Sequence, residues 1–358
     1  MDYVVFTLVL LLTIFGLVML ASASSELGKT KFNDSYFYVK HQLFRGLLPG
    51  MLGFAAALFT YYRRYQKFSF FFMLLGIALL ILVFTPYGLK VNNAQRWIRF
   101  GEFSFQPAEI MKILFIVYLA AWLSNARSGR NKKFIEGFVP FILLCGAVAA
   151  LLIFQPATSI VAILMIAALG VYFASGAPVK YVALAVILGV VSFTLLIYLS
   201  QGHRLERITT YFSPQSDAEK SGYHMDRALT TLGSGGLLGI GFGQSTIKSN
   251  LPARIDDSIF AVIAGELGFV GAGILVFLFA FLALRIFWLA KNARDRFGQL
   301  ILIGFGLIIF LQSFVNMAAI SGLLPLTGIP LPFISYGGTA LAVMLTMSGI
   351  ILNISKYT

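Results

Sequence analysis

The sequence predicts an all-α integral membrane protein, a polytopic bundle of about ten transmembrane helices with a large extracytoplasmic loop between helices 7 and 8. Three observations carry this. Hydrophobic residues make up 59% of the 358 positions and charged residues only 11%, against about 25% charged in a soluble domain. The apolar residues fall in long runs, and about 18 in a row make a candidate span. The runs are continuous rather than alternating, so helices and not barrel strands satisfy the backbone within lipid.

The first run, 3–22, follows Met1-Asp2-Tyr3 directly. That start lacks the positive region of a cleaved signal peptide, so the run is expected to stay as a span. Further spans are expected at 43–60, 68–85, 107–124, 138–154, 158–174, 178–199, 258–286, 299–320 and 337–354. Together they form one transmembrane domain, 1–358, whose large outer loop covers about 200–257. No internal repeat is visible, which weighs against an inverted-repeat transporter. The single cysteine, Cys145, lies within an apolar run. It excludes an intrachain disulfide and a cysteine-based zinc site, and reads as a packing residue.

The net charge of +13 does not imply nucleic acid, because the Lys and Arg residues sit in short loops between spans. There they set topology and meet lipid headgroups. With the N-terminus inside, one set of loops is compact and basic: Arg63, Arg64 and Lys67; Arg127, Arg130, Lys132 and Lys133; Arg285, Lys291, Arg294 and Arg296. Basic totals tie between the two sides, but density favours these short loops as cytoplasmic, with both termini. The opposite face then carries the long segments 85–107, 200–257 and 321–338. Loops of that length are functional or disordered, and these keep Trp97, Tyr211, Tyr223, Phe242, Phe333 and Tyr336. Function is expected at the outer face.

Only 14 acidic residues exist, so each is informative. Glu109 and Lys112 stand three apart within the fourth span and share a helix face. They are a neutralising ion pair, a cavity wall, or both. Asp256 and Asp257 precede the eighth span. They first suit helix capping; the second reading is a carboxylate at the membrane surface able to accept a proton. Glu266 lies further in and admits the same cavity argument as Glu109. Arg96 and Arg99 flank Trp97 in the second outer segment. Arg204, Arg207, Lys220, Arg227, Lys248 and Arg254 lie in the large loop, where some could fork onto an anion such as pyrophosphate. The glycine run Gly233 to Gly243 lacks the ending of a P-loop and follows no strand. Its glycines are expected to permit tight turns and close backbone approach. His41, His203 and His224 are dispersed, and no protein-built metal site is legible.

Six ordered stretches resemble the SEDS family (shape, elongation, division and sporulation). They are Ala94-Gln95-Arg96-Trp97-Ile98; Phe105-Gln106-Pro107-Ala108-Glu109-Ile110-Met111-Lys112; Gln155-Pro156-Ala157-Thr158-Ser159; Gly233 to Gly243; Leu251-Pro252 through Asp257-Ser258-Ile259-Phe260 to Glu266-Leu267-Gly268; and Gly322-Leu323-Leu324-Pro325 through Pro332-Phe333-Ile334-Ser335-Tyr336-Gly337-Gly338. The likeness is closer to the RodA-type elongation branch than to the division branch. It implies a ten-helix peptidoglycan glycosyltransferase. Such an enzyme polymerises lipid II, a disaccharide-pentapeptide on undecaprenyl pyrophosphate, at the outer face of the bacterial cytoplasmic membrane. Its usual partner is a class B penicillin-binding protein, the cross-linking transpeptidase. The essential aspartate of the family falls on Asp257, and its intramembrane ion pair on Glu109 and Lys112. The sequence departs from the family at Ala157, where an acid is usual, at Asp256 and Ser258, and at Gly265.

In this reading Asp257 activates an acceptor sugar hydroxyl. Arg96 and Arg254, or a divalent cation such as Mg²⁺, meet the charge of the departing pyrophosphate. Trp97, Glu266, Ser335 and Tyr336 are further candidates for the substrate cavity. Two competing classes stand beside it. A flippase for a lipid-linked precursor would need polar groups along a path to both faces. A scaffold that only recruits an enzyme would need neither Asp257 nor the Glu109–Lys112 pair.

Overall fold

The computed structural model describes residues 1–91, 94–101, 103–125, 129–199, 221–244 and 251–358. Arg127, Arg204, Arg207, Tyr211, Lys220 and Lys248 lie outside the described residues. The expected apolar runs all form helices. α1 (Tyr3–Phe32), α2 (Phe37–Phe59), α3 (Arg63–Leu82), α4 (Pro107–Ser124) and α5 (Phe134–Phe154) come first. α6 (Thr158–Ala174) and α7 (Val179–Leu199) follow. An amphipathic helix outside the apolar set, α8 (Ser221–Ser234), precedes α9 (Ile259–Lys291), α10 (Arg296–Ile320) and α11 (Gly338–Ser355). Among the described residues, 8 helices are long and apolar enough to cross a membrane. α6 and α7 are shorter apolar helices.

Several helices run past their apolar runs into polar sequence. α1 continues beyond the expected 3–22 to Phe32 and stops at Asn33, whose left-handed backbone (φ 54°) lets its N–H cap the carbonyls of Gly28 and Lys29. Lys29 and Lys31 in that last turn suit the negative end of the dipole. α2 and α5 begin earlier than the expected 43–60 and 138–154. Each contains a π-turn, Leu43–Leu47 and Phe134–Phe138, just ahead of Pro49 and Pro140. A proline donates no N–H and crowds the preceding turn, and the wider π geometry makes room for it.

Between α3 and α4 the chain forms a small antiparallel sheet in the order β1 (Gly88–Val91), β2 (Ala94–Phe100), β3 (Phe103–Phe105). Leu89 faces Trp97, and Ile98 faces Phe105. Ile98 is fully buried, which anchors the sheet to the bundle through its central strand, the strand that carries Arg96 and Trp97. α4, α10 and α11 are the most enclosed helices, while α2 and α3 present most of their surface outward.

α9 is two helices joined at Gly268 (φ 70°, ψ −171°). The glycine run docks into this break through its backbone. Ile240 N donates to Gly265 O at 3.2 Å, Gly241 N to Glu266 O at 3.1 Å, and Phe269 N to Gly236 O at 2.9 Å. A Cβ on Gly239 (φ +84°) would stand 2.1 Å from Glu266 O, so close approach is the reason for glycine there.

The termini share one end of the bundle. Asp2 caps α1, pairs with Arg285 of α9 at 2.7 Å, and its N–H donates to Ser355 Oγ at 2.9 Å. Asp256 and Asp257 precede the other end of α9, so they lie at the opposite face.

Candidate active site

At that opposite face a cavity of about 370 Å³ is lined by residues from six separate stretches. β2 gives Arg96 and Trp97. The start of α4 gives Gln106 and Glu109, and the α5–α6 turn gives Pro156 to Ile160. The approach to α9 gives Asp256 and Asp257, the segment after α10 gives Thr327 to Pro330 with Tyr336 and Gly337, and α11 gives Ala340. The structure therefore brings together Arg96, Trp97, Glu109, Asp257 and Tyr336, all expected from sequence.

The acid pair is held by its backbone. Asn316 on α10, 1% exposed, donates to Asp257 O at 2.8 Å and to Ile329 O at 2.7 Å. Ser335 Oγ donates to Asp256 O and accepts from Leu331 N. Tyr336 N donates to Ile255 O at 2.8 Å. Ser335 thus sits behind the cavity as a clamp rather than on its wall. Both acids line the cavity. Although Asp256 is exposed at the cavity, the surrounding protein partly desolvates its carboxyl, and this, then the charge of Asp257, raises it to about 7.

Glu109 stands in the first turn of α4, behind the proline at its start. Both of its oxygens accept from Lys112 Nζ at 2.8 Å, and Lys112 also donates to Gln312 Oε1 at 2.7 Å. Gln312 in turn donates to Pro330 O at 2.9 Å. The pair is thus both a neutralising pair and a cavity wall: Glu109 lines the cavity, and Lys112 lies beneath it, fully buried.

The segment after α10 is rich in proline, which has no N–H to satisfy near lipid. Its carbonyls are met by buried side chains. Gln42 Nε2 donates to Ser335 O at 3.3 Å, Gln42 Oε1 accepts from Gly337 N, and Ser159 Oγ donates to Thr327 O at 2.8 Å. Across the cavity Arg96 donates to the carbonyls of Gln155 and Pro156, which aims it along the α5–α6 turn.

Besides Lys112 and Ser335, two more expected residues do not line this cavity. Arg254 is buried and pairs with Glu26 of α1 at 3.0 Å, its charge matched by a residue far away in sequence. Glu266 lies at the break in α9, where Ser22 Oγ lies within 2.6 and 2.7 Å of its two oxygens. His224 on α8 reaches Ser258 Oγ at 2.7 Å and ties the amphipathic helix to the start of α9. Gln42, Gln312 and Asn316 were not expected. Gln312 and Asn316 stand four apart in an otherwise apolar helix, which is the signal that marks them.

The fold and site define a class: a polytopic membrane protein that sets paired carboxylates and an arginine in a cavity at one membrane face. The model of the FtsW/RodA/SpoVE family, described as "Cell cycle protein", matches residues 2–358, and the chain belongs to this family. It is 35% identical to "Probable peptidoglycan glycosyltransferase FtsW" of Geobacter sp. (strain M18), covering 99% of this chain and 96% of that one. It is likewise 35% identical to "Stage V sporulation protein E" of Bacillus subtilis (strain 168), covering 100% and 97%. Among solved structures it resembles a chain described under "Structural coordination of polymerization and crosslinking by a peptidoglycan synthase complex", with TM-score 0.80, 26% identity and coverage of 99% and 97%. Rod shape determining protein RodA of Thermus thermophilus gives TM-score 0.73 at 26% identity, covering 99% and 96%.

Proposed function

We propose that this protein is a peptidoglycan glycosyltransferase that polymerises lipid II at the outer face of the bacterial cytoplasmic membrane. The observation that carries the proposal is the cavity in which Asp257, Asp256, Glu109 and Arg96 meet at one face of the bundle. Family membership supports the same reaction.

The residues divide the work as follows. Asp257, fixed through its carbonyl by Asn316, accepts the proton of the acceptor sugar hydroxyl as that oxygen attacks the anomeric carbon of the donor. The bond from that carbon to undecaprenyl pyrophosphate breaks, and Arg96 meets the negative charge that leaves. A cavity of about 370 Å³ suits a sugar and its pyrophosphate, with the rest of the substrate outside. Both substrates are held in one plane by their lipid tails, and this proximity lowers the barrier as well. The neighbouring carboxylates of Asp256 and Asp257 are the pair that would hold a divalent cation such as Mg²⁺, which would supply further neutralisation of the pyrophosphate.

The same reading puts the termini in the cytoplasm, in line with the compact basic loops at their end of the bundle. It gives the enzyme a class B penicillin-binding protein as partner, supported by likeness to a chain of a complex that joins polymerization and crosslinking. We assign it to cell elongation and shape maintenance: depletion then rounds rod-shaped cells, whereas filaments without septa would assign division. The test of the reaction is purified protein in liposomes with lipid II, with and without the transpeptidase, read as glycan on a gel. Polymer from wild type and none from Asp257→Ala is the expected result. Transbilayer movement of lipid II without polymer would favour a flippase.

A further inference from the structure

The face of the molecule away from Asp257 holds a second cavity, of about 320 Å³, where α3 and α10 begin and α4 ends. Arg63, Gln66, Ser124, Asn125, Asp295 and Arg296 line it. Its one acid is already engaged. Asp295 Oδ1 accepts from Gly298 N at 2.7 Å, and Oδ2 accepts from Tyr62 OH at 2.9 Å and Arg63 Nε at 2.7 Å. Arg63 gives Nε to Asp295 and also meets the Tyr62 hydroxyl, and with its side chain 52% exposed it keeps further N–H donors at the cavity. Arg296 gives Nη1 to Gln299 Oε1 at 3.0 Å and makes no other bond among them. Two guanidinium groups therefore keep N–H donors for a third party, beside the Asn125 amide. Arg63 is paired with Asp295, while Arg296 forms no ion pair among the described residues, and a guanidinium group with spare N–H donors suits a phosphate.

The surroundings favour a lipid as the source of that phosphate. Phe70 and Leu74 follow Arg63 and Gln66 along one face of α3 at helical spacing, 57% and 48% exposed. On α4, Tyr118 and Trp122 precede Asn125 at the same spacing and are half-buried. A polar, cationic cavity at the helix ends thus continues into apolar side chains toward the membrane centre, with aromatic residues at the boundary. That is the order of headgroup, interface and acyl chain in a leaflet.

We propose that this cavity binds the phosphodiester headgroup of an anionic phospholipid, with an acyl chain laid along Phe70 and Leu74. The proposal is independent of the reaction at Asp257.

The test uses the full chain in phosphatidylcholine nanodiscs containing a minor fraction of phosphatidylglycerol. The protein is released into detergent and its retained lipid counted by native mass spectrometry. Wild type should retain phosphatidylglycerol above its share of the bilayer. The double variant Arg63→Gln/Arg296→Gln should lose that retention by roughly tenfold or more. Ser124→Asp, which spares both arginines and the Asp295 pair, should lose it too, and thermal melting identifies any variant that fails to fold. Arg64→Gln removes a neighbouring exposed charge outside the cavity and should retain lipid as wild type does. Equal loss in Arg64→Gln would show mere surface charge and overturn the proposal. So would equal retention in all variants. Displacement of the retained lipid by millimolar inorganic phosphate would show a free-phosphate site and overturn the lipid assignment.

Discussion

Lys112 is fully buried, and the partners of its ammonium group are the two oxygens of Glu109 and Oε1 of Gln312. A buried pair of this kind is held by mutual need rather than by surplus stability. Lys112→Met should therefore cost about 3–5 kcal/mol by leaving the Glu109 carboxylate uncompensated. The double variant Glu109→Gln/Lys112→Met should recover most of that loss. Thermal melting of the three purified proteins checks both. Asp256 gives a pH-dependent counterpart. Its carboxyl is raised to about 7 in the fold from an ordinary value of 3.8, so the folded state binds the proton more tightly than the unfolded state. The stability this gives is present at low pH and is lost as pH rises through 7. In metal-free buffer, Asp256→Asn should melt higher than wild type above that pH, with the gap closing toward pH 4. The Glu109–Lys112 ion pair and the Asp256–Asp257 acid pair were legible in sequence because charges are scarce in apolar surroundings and their spacing is short. The partner of Arg254 was not, since Glu26 lies 228 positions away. Gln312 and Asn316 carry no charge to draw the eye, and the carbonyls they hold come from other elements.

The glycine run and the break in α9 form one element in space. Gly239 sits at φ +84° with Glu266 O where its side chain would be, whereas Gly236, at φ +53°, faces open space. Gly239→Ala should thus destabilise by about 1–3 kcal/mol or more, and Gly236→Ala by about 1–2 kcal/mol, the left-handed backbone alone. Paired melting curves measure the difference, and equal melting temperatures would contradict the docking. Sequence read the purpose of these glycines correctly, since a run with no lysine or strand beside it does not build a phosphate loop. It did not reveal the place where they dock. Gly268 sits amid continuous apolar sequence, and hydropathy does not register a break whose backbone groups are satisfied by another segment. Hydropathy also misses helix ends that run into polar sequence, as Ser22 to Phe32 does in α1. The sheet at Gly88–Phe105 was overlooked for a similar reason. Its strands are short, and among their described residues only Ile98 is fully buried.

For the whole molecule, hydrophobic runs and loop charges were enough to predict the bundle and the shared end of the termini. They could not fix which loops converge, because the cavity is assembled from residues 96 to 340 by packing. The proposed cytoplasmic position of the termini is directly testable. In a Cys145→Ser background, Ser104→Cys on β3 should react with an impermeant maleimide in intact cells or spheroplasts, and Thr358→Cys only after permeabilisation. The reverse pattern would invert the protein and move the cavity to the cytoplasmic side.

The central claim is that Asp257 is the reacting carboxylate of a lipid II polymerase and that Asp256 supports it. The most direct measurement is the initial rate of glycan formation from lipid II by Asp257→Asn and Asp256→Asn, each purified, folded and supplied with the same transpeptidase. The account predicts a loss of about a hundredfold or more in Asp257→Asn, and a smaller loss in Asp256→Asn. Wild-type rates from Asp257→Asn, or the larger loss in Asp256→Asn, would contradict it.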